Sequence, residues 1–339
     1  MPAFGYRRGM SLIERADGFQ RRHRAVGFPL AVVYKYADDQ GGHLAALVTY
    51  YGFVSLFPLL LLLSTILGFV LAGDPGLQRA VLDSALRQFP VIGRDLGHPR
   101  QIGGGTLGLV VGLLGAVYGG LGVAQALQHA MNTAWSVPRN IRPNPFRGRL
   151  LSLGLLGTVG LAVVATSALT AVGSSAAGLV PQFSAVVHGL LIAAVVALNA
   201  AIFAAAFRLT TARELSVRDV LPGAVTAAIA WQGLQLLAAS YVRHVASATS
   251  VTGGVFALVL GLMAFLYLAS VLVVLSVEIN VVRVQRLYPR ALLTPFTDAV
   301  DLTPGDKDAY TAQAQAQRAK GFEEVDVTFG PRPEADGDG

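Results

Sequence analysis

The chain has no cysteine. Disulfide frameworks, thiolate metal sites and thiol nucleophiles are therefore excluded together. Charge is also scarce: Asp, Glu, Lys and Arg make up 14% of the 339 residues, against about 25% in soluble domains. No His-Glu-x-x-His motif, no carboxylate pair and no Gly-Lys phosphate loop occurs. The six histidines (His23, His43, His98, His129, His188 and His244) never stand at metal-ligand spacing. Gly103-Gly104-Gly105 opens an apolar stretch and lacks the preceding strand of a nucleotide loop. Hydrolase and nuclease chemistry has no residues to rest on. The chain is read as not an enzyme, and no metal or cofactor is expected. No cleavable signal peptide is expected either, because the first long apolar run starts only at Leu44 and outlasts a signal core.

Apolar residues are abundant, at 53%, with a mean hydropathy of +0.56. They fall into six runs, at about 44–72, 106–134, 150–172, 185–207, 220–242 and 255–282. Each is long enough to cross a hydrocarbon core of about 30 Å, which takes ~20 helical residues. The expected fold is all-α: a polytopic bundle of six transmembrane helices with interfacial amphipathic helices added. Basic residues segregate between alternate loops. Seventeen flank one set of span ends, among them Arg21, Arg139, Arg213 and Arg283, and five flank the other. The positive-inside rule then puts both termini in the cytoplasm. Residues 1–290 carry 22 basic and 10 acidic side chains, and 291–339 carry 4 and 10. Such a distribution is topological charge facing anionic lipid, so membrane lipids are expected partners and nucleic acid is not.

Three regions follow. Residues 1–27 read as a basic, mobile cytoplasmic segment, 28–290 as one membrane domain, and 291–339 as an acidic tail, disordered or weakly helical. Within 28–38, Leu30, Val33, Tyr34 and Ala37 share a helical face, with Lys35, Asp38 and Asp39 off it. The pattern predicts a short helix lying on the cytoplasmic interface. A second amphipathic helix is expected on the outer side, from Leu77 to Phe89. Rows of small residues recur every fourth position, at Gly104 to Ala124, Gly154 to Ser174 and Gly189 to Ala205. They predict close helix packing, with a substrate groove as the alternative.

Polar or helix-breaking residues inside the spans are the candidate site. Pro58 interrupts the first run, either as a hinge near a substrate path or as a passive kink. Glu278 is the one carboxylate within a span, about a turn from its end and near Arg283. It is expected to pair with Arg283 or with a basic residue of another inside loop. Asn199, Gln232 and Gln235 either lock helices together or meet a ligand.

Several segments together resemble one family. Gly42-His-Leu-Ala-Ala-Leu-Val-Thr-Tyr-Tyr-Gly-Phe-Val-Ser-Leu-Phe-Pro58, which includes Tyr50, resembles the first-span signature of the YihY/BrkB family of bacterial membrane proteins. Ala130-Met-Asn-Thr-Ala-Trp-Ser-Val-Pro138 is similar to its N-x-x-W-x-V exit from the second span, with Asn132 and Trp135 in the marked places. Ser276-Val-Glu-Ile-Asn280 is similar to its G-A-E-x-N sequence, with Ser276 standing where glycine is usual. Thr249 to Gly254 departs from the usual Tyr-Gly turn before the last span. The likeness covers about 30–290. It implies a multi-pass protein of the bacterial inner membrane, suspected in the family of moving lipids or envelope precursors. The ribonuclease label some members carry has no support in these residues. The function expected is movement of a lipid or other amphiphile. The alternatives are a scaffold that recruits partners through its tails, and a small-solute permease or channel.

Overall fold

A computed structural model of the chain describes residues 15–70, 105–144, 184–248, 251–298 and 300–330, with single residues 148 and 154. All regular structure among them is helical. In chain order the helices are α1 (15–22), α2 (Arg24–Asp38), α3 (Gly41–Val70), α4 (Gly105–Ala134), α5 (Ser184–Thr210), α6 (Val217–Ala248), α7 (Val251–Gln285) and α8 (Pro304–Gln315). Five of the six apolar runs fall on α3 to α7. The run at 150–172 and the amphipathic segment at 77–89 lie outside the described residues.

Three of these helices contain stretches long and apolar enough to cross a membrane: Gly189–Thr210, Val217–Tyr241 and Val259–Gln285. At 1.5 Å per residue, 22, 25 and 27 residues span about 33, 37 and 40 Å. α3 continues through Pro58 to Val70, so the break expected there is not a discontinuity of the helix.

α3 packs most extensively on α4, α5 on α6, and α6 on α7, while α2 lies against α7 and α3. The closest approach of α3 to α4 is at glycine: a Cβ on Gly122 would overlap the Tyr51 ring, and one on Gly119 would overlap Ser55. These glycines lie beside, not within, the expected row that ends at Ala124. Ala124 itself packs with Ala206 of α5. The row Gly189, Ala193, Ala197 and Ala201 turns outward and is exposed. On that helix Ala200, Ala204 and Phe207 form the packing face instead.

The main core gathers at one end of the bundle. There Ala31 and Val32 of α2, Met131 and Trp135 at the end of α4, Phe207 of α5, Val220 of α6 and Val277 and Val281 of α7 bury one another. Three helices terminate around this core in a left-handed residue, at Gln40, Ser136 and Arg286. After α4 the Schellman pair is complete: the Val137 N–H donates to the Asn132 carbonyl at 2.8 Å and the Ser136 N–H to Thr133 at 2.9 Å.

Two expectations are refined at this end. Residues 15–22 of the basic N-terminal segment form a helix, and the tail, expected to be disordered or weakly helical, carries the well-formed helix α8. Thr303 and Asp306 cap α8 reciprocally, with a proline in its first turn, and the helix is pinned through Asp306 to the bundle. Acidity alone does not decide the tail, because Asp306 spends its charge on an internal partner.

α6 and α7 show how one asparagine repairs a helix. Pro222 lacks the N–H that would bind the Arg218 carbonyl. The Arg283 guanidinium donates to that carbonyl at 2.5 Å and to Asp219 at 3.3 Å. The Gly223 N–H donates to Asn280 Oδ1 at 2.8 Å, and Asn280 Nδ2 returns a bond to Val220 at 3.1 Å. Gly223 has no alternative here, since a Cβ would overlap the Ser276 carbonyl and the Asn280 amide. Gly223→Ala is therefore expected to cost at least ~2 kcal/mol. Gly233→Ala on the same helix, where a Cβ meets nothing within 4 Å, should be neutral or favourable. Thermal unfolding of the two variants in detergent checks the contrast. Equal effects would contradict it.

Candidate functional site

A cluster of buried charge closes the same end. α2 turns Lys35 and Asp39, one helical turn apart, toward α7, and the two form an ion pair. Lys35 is 1% exposed, and its ammonium also donates to the Ala134 carbonyl at 3.1 Å. Ala134 is the last residue of α4, so a cation sits on the negative end of that helix. Glu278 of α7, fully buried, places Oε2 3.9 Å from Lys35 Nζ. Neither Glu278 oxygen has a hydrogen-bond partner. Of the face expected to be apolar, Tyr34 is buried with Lys35 and Asp39, while Val33 and Ala37 are exposed.

A second group adjoins the first through Asp38. Arg290 is fully buried after the end of α7. It donates to Asp38 at 2.9 Å, forms a pair with Asp306 of α8 and lies 5.3 Å over the Tyr310 ring. Asp306 also accepts the Ala291 N–H and the Thr303 N–H, each at 2.9 Å. Asp17 of α1 accepts from Gln20 and from the Leu292 N–H, both at 2.9 Å. Gln20 also donates to the Arg290 carbonyl at 2.6 Å. Tyr34 donates to the Leu292 carbonyl. One connected network therefore joins α1, α2, α4, α7 and α8.

Burial and neighbouring charge oppose each other here. Burial pulls the Lys35 ammonium down, but the carboxylates of Glu278 and Asp39 outweigh it and hold the group above its usual range. Burial lifts Asp38 and Asp39 above the ordinary carboxylate range, against Arg290 and Lys35 respectively. Arg290 is raised: burial opposes its charge, and Asp306 and Asp38 overcome that.

The residues singled out from sequence separate into groups. Glu278 enters the ionic cluster, yet its cation is Lys35. Arg283, the first of the two expected partners, is committed to the α6 carbonyls, and the cation comes from another segment, as the second alternative had it. Asn280 clamps α6. Asn132 does the same for the turn after α5, accepting the Ala212 N–H at 2.8 Å while it donates to Gln128 at 2.7 Å. Trp135 is 2% exposed beneath Arg213, 5.7 Å from its ring centre. Tyr50 is 59% exposed, edge-on to Tyr51 at 5.3 Å. Asn199, Gln232 and Gln235 are half-buried on α5 and α6. Lys35, Asp38, Asp39, Arg290 and Asp306 were not among the sequence candidates. The Lys35–Asp39 spacing and the Thr303-x-x-Asp306 cap were the available signals. Among the described residues no group of three or more His, Asp or Glu is placed to hold a metal.

Fold and cluster define an integral membrane protein with a charged, closed end. Residues 32–298 match the family described as Virulence factor BrkB, and the chain belongs to that family. An uncharacterised protein of Dickeya dadantii (strain 3937) is 29% identical over 255 residues, covering 69% of this chain and 76% of that protein. No solved structure matches the chain.

Removing one partner of a buried pair leaves an uncompensated charge, at a cost of about 3–5 kcal/mol. Lys35→Met should destabilise by that order, and Lys35→Met with Glu278→Gln by clearly less. Detergent unfolding of the two variants measures the difference, and equal losses would deny the coupling. A pH effect follows from Asp39, whose pKa in the folded chain lies above 3.8. Its proton is held more tightly folded than unfolded. Its stabilising contribution is full below 3.8 and is lost as pH rises through the raised value. Asp39→Asn should remove that part of the pH slope, which melting curves across the acidic range would reveal. An unchanged slope would contradict the assignment.

Proposed function

We propose that this protein spans the bacterial cytoplasmic membrane six times, with both termini inside, and moves a lipid or other amphiphile between its leaflets. The observation that carries the reading is Glu278, with Lys35 and Asp39 beside it. It is a fully buried carboxyl group near the end of an apolar helix, with a lysine 3.9 Å away on a peripheral helix. Intramembrane acids are rare and costly, and they mark pathways in transporters. Here the acid's counter-charge rides on α2, so α2 and α7 can part only when charge is redistributed. The cluster would then act as the inner gate of the bundle. The segregation of basic residues supports the orientation.

A scaffold reading has one observation in its favour. Phe296 and Phe322, 78% and 90% exposed, stand on the docked tail where a partner could reach them.

Reporter fusions at Gly178 and Gly253 should read outside, and those at Asn140 and Glu214 inside. Inversion at two of these sites would sink the topology. In vesicles holding purified protein and a fluorescent phospholipid, the fraction open to an impermeant quencher should exceed that of empty vesicles. Glu278→Gln should change its rate in protein that remains folded. Transfer no faster than in empty vesicles would leave the scaffold reading.

A further inference from the structure

α2 is amphipathic in the reverse sense to a helix lying in water. Its charges and tightest contacts point inward: Lys35 and Asp39 are buried, Asp38 is 12% exposed, and Ala31 is fully covered. The opposite side carries Val26, Pro29, Val33 and Ala37, spaced i, i+3, i+7 and i+11, all of them exposed. Val26 is 46% and Val33 56% exposed. No ionisable side chain other than the Tyr36 phenol lies on that side between Ala25 and Ala37. Water would leave this apolar strip unsatisfied while the helix spends its charges on the protein.

The approach to α2 has the opposite character. Arg21, Arg22 and Arg24 crowd its N-terminal end. The described acid nearby, Asp17, is already taken by Arg21 at 2.7 Å and by the Leu292 N–H. Arg22 and Arg24 are exposed, the latter with its guanidinium 4.9 Å over the Tyr288 ring. An apolar strip with a cationic end matches acyl chains beside anionic headgroups.

We propose that the outer side of α2 is a lipid-contact surface, seated among the acyl chains of an anionic leaflet, with lipid phosphates held at its N-terminal end by Arg22 and Arg24. The helix then roofs the ionic cluster, sealing Lys35 and Glu278 from water with lipid on its far side. The assignment needs only that the chain is a membrane protein and does not depend on whether it transports.

The absence of cysteine makes the test direct. Single-cysteine variants Val26→Cys, Val33→Cys and, as an aqueous control on α8, Asp308→Cys are labelled with an environment-sensitive fluorophore in the full chain. The protein is placed in vesicles of zwitterionic phospholipid with or without anionic phospholipid. Probes at 26 and 33 should be blue-shifted, quenched by brominated acyl chains and shielded from iodide, and the probe at 308 should show the reverse. Bromine on the anionic lipid should quench the probe at 26 about twofold or more better than bromine on the zwitterionic lipid. Arg22→Gln with Arg24→Gln should abolish that preference. Iodide access at 33 equal to that at 308 would overturn the proposal, as would crosslinking of position 33 to a second copy in place of lipid quenching. Equal quenching by the two brominated lipids in the unmodified background would overturn the headgroup assignment.

Discussion

Two cations and four carboxyl groups gather at one end of the bundle, and the need to pair buried charge from within the protein organises the structure. Lys35 and Arg290 are the two cations. Asp38, Asp39, Glu278 and Asp306 are the carboxylates around them. Left alone, any of them would cost several kcal/mol in a low-dielectric interior. Because Lys35 and Asp38 lie on the same helix, α2 cannot shift without disturbing both Glu278 and Arg290. α2 is thereby tied to α7 by Lys35 and Glu278, and to α8 through Arg290, which Asp38 and Asp306 share. α4 is drawn in through the carbonyl that caps onto Lys35. The tail and the N-terminal helices thus belong to the same folded unit as the membrane helices.

At the same end, the bundle is also held by different means. Asn132 and Asn280 satisfy backbone groups that a helix end and a proline leave open, and Arg283 does the same for the carbonyls above Pro222. Glycine lets α3 and α4, and α6 and α7, come close enough for these bonds and contacts to form. Such contacts do not move easily. Two carboxylate oxygens without hydrogen bonds, facing a lysine across 3.9 Å, are the softer joint. The rigid part of the bundle and its candidate gate therefore lie on neighbouring turns of α7.

How much of this was legible beforehand divides by the kind of interaction. The long apolar runs gave the helices and their order, because length and hydropathy act locally along the chain. Glu278, Asn280, Asn132 and Trp135 were legible as residues of interest, since a polar or bulky group in such a run stands out. Their partners were not, because Lys35 and Ala134 are 99 residues apart and Gln20 and Arg290 are 270 apart. The burial of Lys35 and Asp39 on α2 was not legible for the same reason. A charged residue is placed outward by default, and only a distant carboxylate could draw Lys35 in. The tail could be read only as disordered or weakly helical from its composition, whereas one buried aspartate and one cap decide the structure of Pro304–Gln315. In α5 the row of small residues was real as a pattern but lies on the exposed side, since an Ala-rich helix offers small rows on more than one face.

The claim that these charges make one cooperative unit can be put to a single measurement: hydrogen exchange of the full chain in detergent with and without Arg290→Met. Methionine keeps the bulk of the side chain and removes the charge shared by Asp38 and Asp306. The account predicts that the amides of α2 and α8 lose protection together while those of α6 and α7 near Asn280 retain theirs. Loss of protection in α8 with α2 unchanged would contradict it, and would mean that the tail is an attachment and not part of the frame.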